Sequence, residues 1–394
     1  MKWKQSLWAI GLTVAIQATA LGSDDSLSLL VKAIAETESA EVQANLLQGM
    51  LQGLEGRRNL PMPPHWKSVG PKLLASSNDR VTKLATQLSQ LFGDEDALSK
   101  TLNLLQDVQA GKGERELALR TLLDQQNVAA QKLVPSLVND PNLQIAAVRG
   151  LATFENTLAI QDLLQRFAEL NEDAQRAVVE TCAARRSYAS QLLAAIQNQN
   201  VSKSDLPAHV TRNLSQLLGA QFTRIFGEIR DVEQDREARL ANYKKLASPS
   251  AMSMANASRG RTVFNKTCGT CHQLYGTGGN VGPDLTGSNR ANLDYILLNS
   301  VDPSFDVPDA YKTTIVQTID GRMISGVLAE EDGARVVLKT AEIPRVVIAK
   351  EDIEERKTSD KSMMPEGQLE QLKKQEVLDL LKYLRTTQQV EAAK

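Results

Sequence analysis

Between Ser26 and Leu246, apolar residues recur three or four positions apart with polar and charged residues between them, the spacing of amphipathic helices. Arg115–Leu123, Ile145–Ala152 and Ala174–Ala183 are three such segments. Aligning Ala118, Ala147 and Val178 spaces them by 29 and 31 residues, and Val81–Leu88 is a fainter copy. Asn139-Asp140-Pro141 and Asn171-Glu172-Asp173 precede two of the segments and predict turns whose side chains accept hydrogen bonds from the first free amides of the helices. From Ala247 to Ser258 small and polar residues take over and predict a linker. Beyond it the period changes. Thr313–Thr318, Arg322–Leu328, Ala334–Leu338 and Arg345–Ile348 are rich in β-branched residues, and Asp320-Gly321 and Asp332-Gly333 lie between the first three, a hairpin signature.

A loose repeat of helix pairs with small inward residues predicts a HEAT-like α-solenoid over residues 24–246, because a single unit cannot bury its apolar stripe alone. An irregular helical domain without true repeats is the alternative. The β-rich runs predict a small antiparallel sheet of four or five strands at about residues 311–357, inserted in a C-terminal domain spanning 259–388. A sheet of that size is not stable alone and must pack on its host. The expected class is therefore mainly α: an N-terminal helical-repeat domain, a linker at 247–258 and an α domain with a β insertion.

With 394 residues the chain is long enough for two domains or more, and aromatics at only 4% agree with a largely helical body. Met1-Lys2-Trp3-Lys4, the apolar run Leu7–Ile16 and Ala18-Thr19-Ala20 form the charged, apolar and small-x-small regions of a signal peptide over residues 1–20. The apolar run is short for a membrane span, and nothing later approaches that length. Removing the leader takes Lys2 and Lys4 from the 45 basic residues, leaving 43 against 47 acidic ones. Such a balance points to neither nucleic acid nor an anionic membrane as a partner. The protein is therefore expected to be exported, periplasmic or beyond, and soluble once the leader is cleaved.

The chemistry lies in Cys268-Gly269-Thr270-Cys271-His272. Two cysteines three positions apart, followed at once by histidine, are what covalent attachment of one c-type haem requires: each thiol adds across a vinyl group, and the imidazole coordinates the iron. A redox disulfide expects a thioredoxin-like βαβ setting, and zinc needs two further ligands, for which only Cys182, His65 and His209 remain, scattered along the chain. Cys182 lies on an apolar helical face and reads as a core thiol. His65 reads as a surface loop residue, and His209, at a helix start, as structural.

Around this motif the chain resembles the class I cytochrome c fold. Gly260 and Phe264 stand eight and four residues before Cys268, on a helix that in that fold crosses the C-terminal helix, here Glu376–Arg385 with Leu380 and Tyr383 facing Phe264. Gly282-Pro283-Asp284-Leu285 is similar to the segment whose proline carbonyl accepts a hydrogen bond from the proximal histidine, which would fix the His272 tautomer. Ser362-Met363-Met364-Pro365-Glu366-Gly367 is similar to the loop that supplies the sixth ligand. Met364, directly before proline, is the expected ligand, and Met363 the alternative; Met323 and His209 are remoter ones. With its β insertion, the region from Ala257 to Thr387 resembles the planctomycete and verrucomicrobial type of haem-binding domain. Leu51–Arg58 and the stretch Pro61-Met62-Pro63-Pro64-His65-Trp66 resemble the helical region found beside it.

That resemblance implies an electron carrier, not an enzyme, with His272 and Met364 as metal ligands and Cys268, Cys271 and Pro283 completing the cofactor site. The helical region would dock it to a redox partner such as a dehydrogenase, or to a scaffold. The β-propeller dehydrogenase domain of many relatives has no counterpart here. Two other readings stay open: a helical interaction protein in which haem is structural or sensory, and the haem subunit of a dehydrogenase complex. A peroxidase-like role would need a distal acid–base group that the C-terminal domain, whose only histidine is His272, does not offer.

Overall fold

The computed structural model describes residues 23–57, 60–227 and 232–393, so the leader expected at 1–20 lies outside the described residues. The chain divides into two compact units, one through Leu98 and one from Ser99. In the first, α1 (Ser23–Glu36), α2 (Ala40–Leu54), α3 (Trp66–Leu74) and α4 (Asp79–Leu91) close around Val31, Leu47, Trp66 and Leu88. Asn78 caps α4 by accepting from the amides of Arg80 and Val81. The Trp66 indole N–H donates to Ser89 Oγ at 2.9 Å, so the polar atom of this sealed side chain has a partner. His65 is exposed at the start of α3. Helix α5 (Glu95–Gln106) runs across the boundary.

The second unit continues with α6 (Lys112–Asp124), α7 (Val128–Leu137), α8 (Gln144–Gly150), α9 (Thr157–Gln165), α10 (Glu172–Cys182), α11 (Arg186–Gln197), α12 (Ala208–Leu218) and α13 (Ala220–Phe226). Helix α6 packs on α7, α7 on α8, and each helix from α9 to α12 on the next, while α6 also packs on α8, α8 on α10 and α9 on α11. Ala118, Ala147 and Val178 are all buried in α6, α8 and α10, where small side chains permit close approach. Asn127, Asn156 and Asn171 cap α7, α9 and α10 through their side-chain oxygens. Asp140, in the turn before α8, accepts from the Arg115 guanidinium at 2.7 Å and from the Asn142 amide, linking one helix pair to the next.

After α14 (Val232–Leu246), the stretch read as a linker contains α15 (Pro249–Met254) and the first residues of α16 (Ala257–Thr267). Its small residues mask two helix starts. Ser248 caps α15 with Pro249 at its first turn, Asn256 caps α16, and Ala247 and Met252 are buried. Helix α16 crosses α18 (Lys374–Leu384), and α17 (Leu293–Val301) packs against α14. At the α16–α18 crossing Phe264 meets Tyr383 edge-on at 5.4 Å, and Leu380 is buried in the same core.

A two-residue hairpin, β1 (Gln273–Leu274) and β2 (Thr277–Gly278), follows the cysteine motif. The insertion forms one antiparallel sheet from β3 (Lys312–Thr318), β4 (Met323–Glu331), β5 (Arg335–Lys339), β6 (Val346–Ala349) and β7 (Ile353–Ser362), in the order β6-β5-β4-β3-β7. The two Asp-Gly pairs turn β3 into β4 and β4 into β5. Strand β7 runs five residues past the expected end at 357. Its outer half, Lys357–Ser362, is polar, so no alternation marks it in the sequence, and a register shift opposite Lys312 and Thr313 lets Asp360 and Lys361 bulge outward. The strand thereby ends directly before Met363.

Asp379 of α18 locks the helix crossing. Its carboxylate accepts from the Asn256 amide at 2.7 Å, from Arg259 Nε at 2.7 Å and from Gln375. Burial alone would raise its pKa, but Arg259, the Asn256 amide and Gln375 hold it below the ordinary carboxylate range. A depressed folded pKa contributes stability that is present above the unfolded value of about 3.9 and is lost as pH falls through the folded value. Asp379→Asn is therefore expected to cost about 2 kcal/mol at pH 7 and progressively less below about pH 4, read as a melting-temperature difference from the parent across that range.

Candidate functional site

Helix α16 delivers the cysteine motif at its C-terminal end. The amides of Cys271 and His272 donate to the Cys268 carbonyl at 3.1 and 2.9 Å, winding the motif into a single turn that presents both sulfurs and the imidazole from a short stretch of chain. The His272 Nδ1 atom lies 2.9 Å from the Pro283 carbonyl oxygen. A carbonyl can only accept, so Nδ1 carries the proton and Nε2 keeps its lone pair. Burial holds the His272 pKa below the usual histidine value, opposed by the Pro283 bond, which favours the neutral ring a metal needs. Gly282 lies flat against the imidazole; a Cβ there would come within 2.5 Å of Cε1, so only glycine lets Pro283 close on this ring.

Neither cysteine of the motif forms a disulfide. Burial raises the Cys268 pKa, and burial reinforced by the Glu342 carboxylate pushes the Cys271 thiol up to about 11. Protonated thiols are poor nucleophiles for thiol exchange, which argues against a working redox pair. Among the described residues no group of three or more His, Cys, Asp and Glu could hold a metal ion, which leaves zinc without a donor set. Cys182 is fully buried in α10, and burial raises its pKa strongly.

The methionine loop leaves β7 at Ser362 and enters α18 through buried Pro365 and Leu369. Ser362 Oγ accepts the Met364 amide at 3.1 Å, and Ser304 Oγ accepts the Ser362 amide at 3.3 Å. Met363 lines a cavity with His209, Arg212, Thr313, Ser325 and Glu342; Met364 does not. Met323 lies on β4, where its amide donates to the Ala184 carbonyl.

Sequence reasoning missed the arginines that tie the helices to this region. Arg176 of α10 donates to Thr270 inside the cysteine motif at 3.3 Å, and to Glu180 at 2.9 Å. Glu180, almost fully buried, also takes Arg149 at 3.2 Å. His209 of α12 places Nε2 3.4 Å from Glu342 of the β5–β6 loop and 3.9 Å from Glu180. Burial would raise the Glu342 pKa, yet His209, its own amide and Thr340 hold it low. Arg185 clamps Asp320 through its backbone and side-chain oxygens at 2.6 and 2.9 Å. Arg212 donates to the carbonyls of Ser362 and Met364, and Arg236 pairs with buried Asp302 at 3.0 Å while stacking on Phe305. Arg239 pairs with Glu370. Arg290 is a second unheralded anchor: buried, it donates to the carbonyls of Leu285, Thr286 and Leu384, joining the Pro283 segment to the end of α18.

Residues 257–388 match the family model described as cytochrome c. No curated protein matches the chain. This part of the chain is a c-type cytochrome domain, which binds haem c covalently and carries a haem-based electron-transfer role. The donor set fits that group: two unpaired thiols and a neutral histidine whose outward nitrogen is free to ligate. No helix among the described residues is long and apolar enough to cross a membrane.

Proposed function

We propose that the protein is an exported monohaem electron carrier with Cys268 and Cys271 as attachment points, His272 as proximal ligand and Met364 as distal ligand. The observation that carries this reading is the His272–Pro283 hydrogen bond inside a domain matched to cytochrome c. Bound haem supplies a one-electron couple. The chain does the rest. Pro283, with Gly282 packed beneath it, fixes the imidazole's orientation and raises its basicity. The Met364 thioether would favour the reduced state of the bound group, and Met363 lines the α12 cavity. His272 and Met364 together would hold the iron, and the bound group would then supply electron transfer with no position left for substrate.

The helical region to Leu246 serves in this reading as a HEAT-like docking platform for a redox partner, a dehydrogenase being one candidate. The stacking of α6, α8 and α10 and the buried small residues at their repeat positions support it. The β insertion that ends in the methionine loop supports assignment to the planctomycete and verrucomicrobial type of domain.

Met364→Ala in the exported, haem-loaded protein is expected to lower the midpoint potential by on the order of 0.2 V, within the roughly 0.8 V range that axial ligands command. Voltammetry gives the number. An unchanged potential removes Met364 as ligand. A lowered potential with undiminished function in the cell removes electron transfer as the main task and favours the interaction-protein reading.

A further inference from the structure

From α12 of the helical region, Arg212 reaches across to the methionine loop. Its Nη1 donates to the Ser362 carbonyl at 2.5 Å and its Nη2 to the Met364 carbonyl at 3.1 Å, bracketing Met363 from a position 150 residues earlier in the chain. The guanidinium is planar and its donors are fixed relative to one another, so two carbonyls gripped by one fork are fixed relative to one another too. The loop's other ties are one local bond, from Met364 to Ser362, and one across 58 positions within the same domain, from Ser362 to Ser304. Arg212 is the member of the set that comes from the helical region. On the same side of the loop, the cavity that Met363 lines is walled by Arg212 and His209.

We infer that Arg212 is a positioning residue for the distal ligand, so that the strength of the Met364–iron bond depends on the helical region. The inference rests on the reading of Met364 as ligand. It follows that displacement of α12, by a partner docked on the helices for example, loosens the loop and opens the distal face.

The test uses the full-length, haem-loaded protein in its ferric state and two readouts: the weak far-red absorption band of thioether-ligated ferric haem, and the rate of cyanide binding. Arg212→Ala is expected to weaken the band and to speed cyanide binding about tenfold or more, the usual effect of removing a group that orients a metal ligand. Arg212→Lys, which keeps the charge but not the fork, falls between. Arg185→Ala, which cuts the separate Asp320 clamp in the same helix–cytochrome contact, keeps the parent's band and rate. Parent-like behaviour in Arg212→Ala overturns the inference, and so does equal acceleration by Arg185→Ala, which would mean general loosening. Met364→Ala separates the two levels: a band that survives in that variant overturns the ligand assignment itself. If Arg212→Ala does not accumulate in haem-loaded form, Arg212→Gln serves in its place under the same criteria.

Discussion

Cys268→Ala/Cys271→Ala, exported alongside a cytochrome c maturation system, is expected to retain no haem after denaturation, whereas the parent band stains for haem on a denaturing gel. The effect is all or none because, in the proposed site, the two thioether links would be the only bonds to survive denaturation, whereas histidine and methionine contacts would not. Either single variant is expected to keep a weaker stain through its remaining sulfur. Cys182→Ala should stain like the parent, since its thiol is sealed inside α10. An unstained band from folded, exported parent protein would return the Cys-x-x-Cys pair to another purpose. The turn at the end of α16 gathers Cys268, Cys271 and His272 on one short stretch, so that in the proposed site attachment and ligation would draw on a single local geometry.

Much of this site could be read from the chain because its signals are local. The cysteine spacing is fixed by the two vinyl groups it serves, and Asp320-Gly321 and Asp332-Gly333 carry the left-handed or turn conformations that hairpins need. Gly260 and Phe264 fall on one helical face at a set distance from the motif. In each case the physical cause lies within a dozen residues, and the sequence shows it.

The polar strand end and the arginines show why the rest stayed hidden. Lys357–Ser362 pairs with β3 through backbone bonds that any side chain permits, so its polar composition concealed a strand. Arg176 and Arg212 sit on amphipathic helices and Arg185 on the extended residue just before one, where a charged residue reads as part of the solvated face. Their partners lie 94, 135 and 152 positions later in the chain. Only the fold discloses that this face of the helices meets the cytochrome region. The expected linker failed for a related reason. Ala and Ser are equally at home in flexible chain and in short capped helices, and burial of Ala247 and Met252 decides between them.

Gly260→Val is expected to abolish stable folding of the cytochrome domain, the largest stability effect of any single substitution considered. At Gly260 the backbone of α16 rests directly on α18: an added Cβ would overlap the Asp379 carbonyl oxygen and come within 2.8 Å of Tyr383 Cβ. Neither atom is the free end of a side chain, so the helices must separate. Separation breaks the Phe264–Tyr383 pair and pulls Arg259 and the Asn256 amide from Asp379, which leaves a buried carboxylate short of partners. Overpacking alone costs about 1–3 kcal/mol, and stripping a buried charge of its partners about 3–5 kcal/mol more. Together these approach the 5–15 kcal/mol that holds a typical domain. Circular dichroism and protease resistance of the exported chain report the outcome. Gly260→Ala grades the effect, since one methyl already violates the contact. A Gly260→Val protein that melts within a few degrees of the parent would mean that α16 and α18 do not cross at this residue, and the packing that places the cysteine turn against the rest of the domain would have to be redrawn.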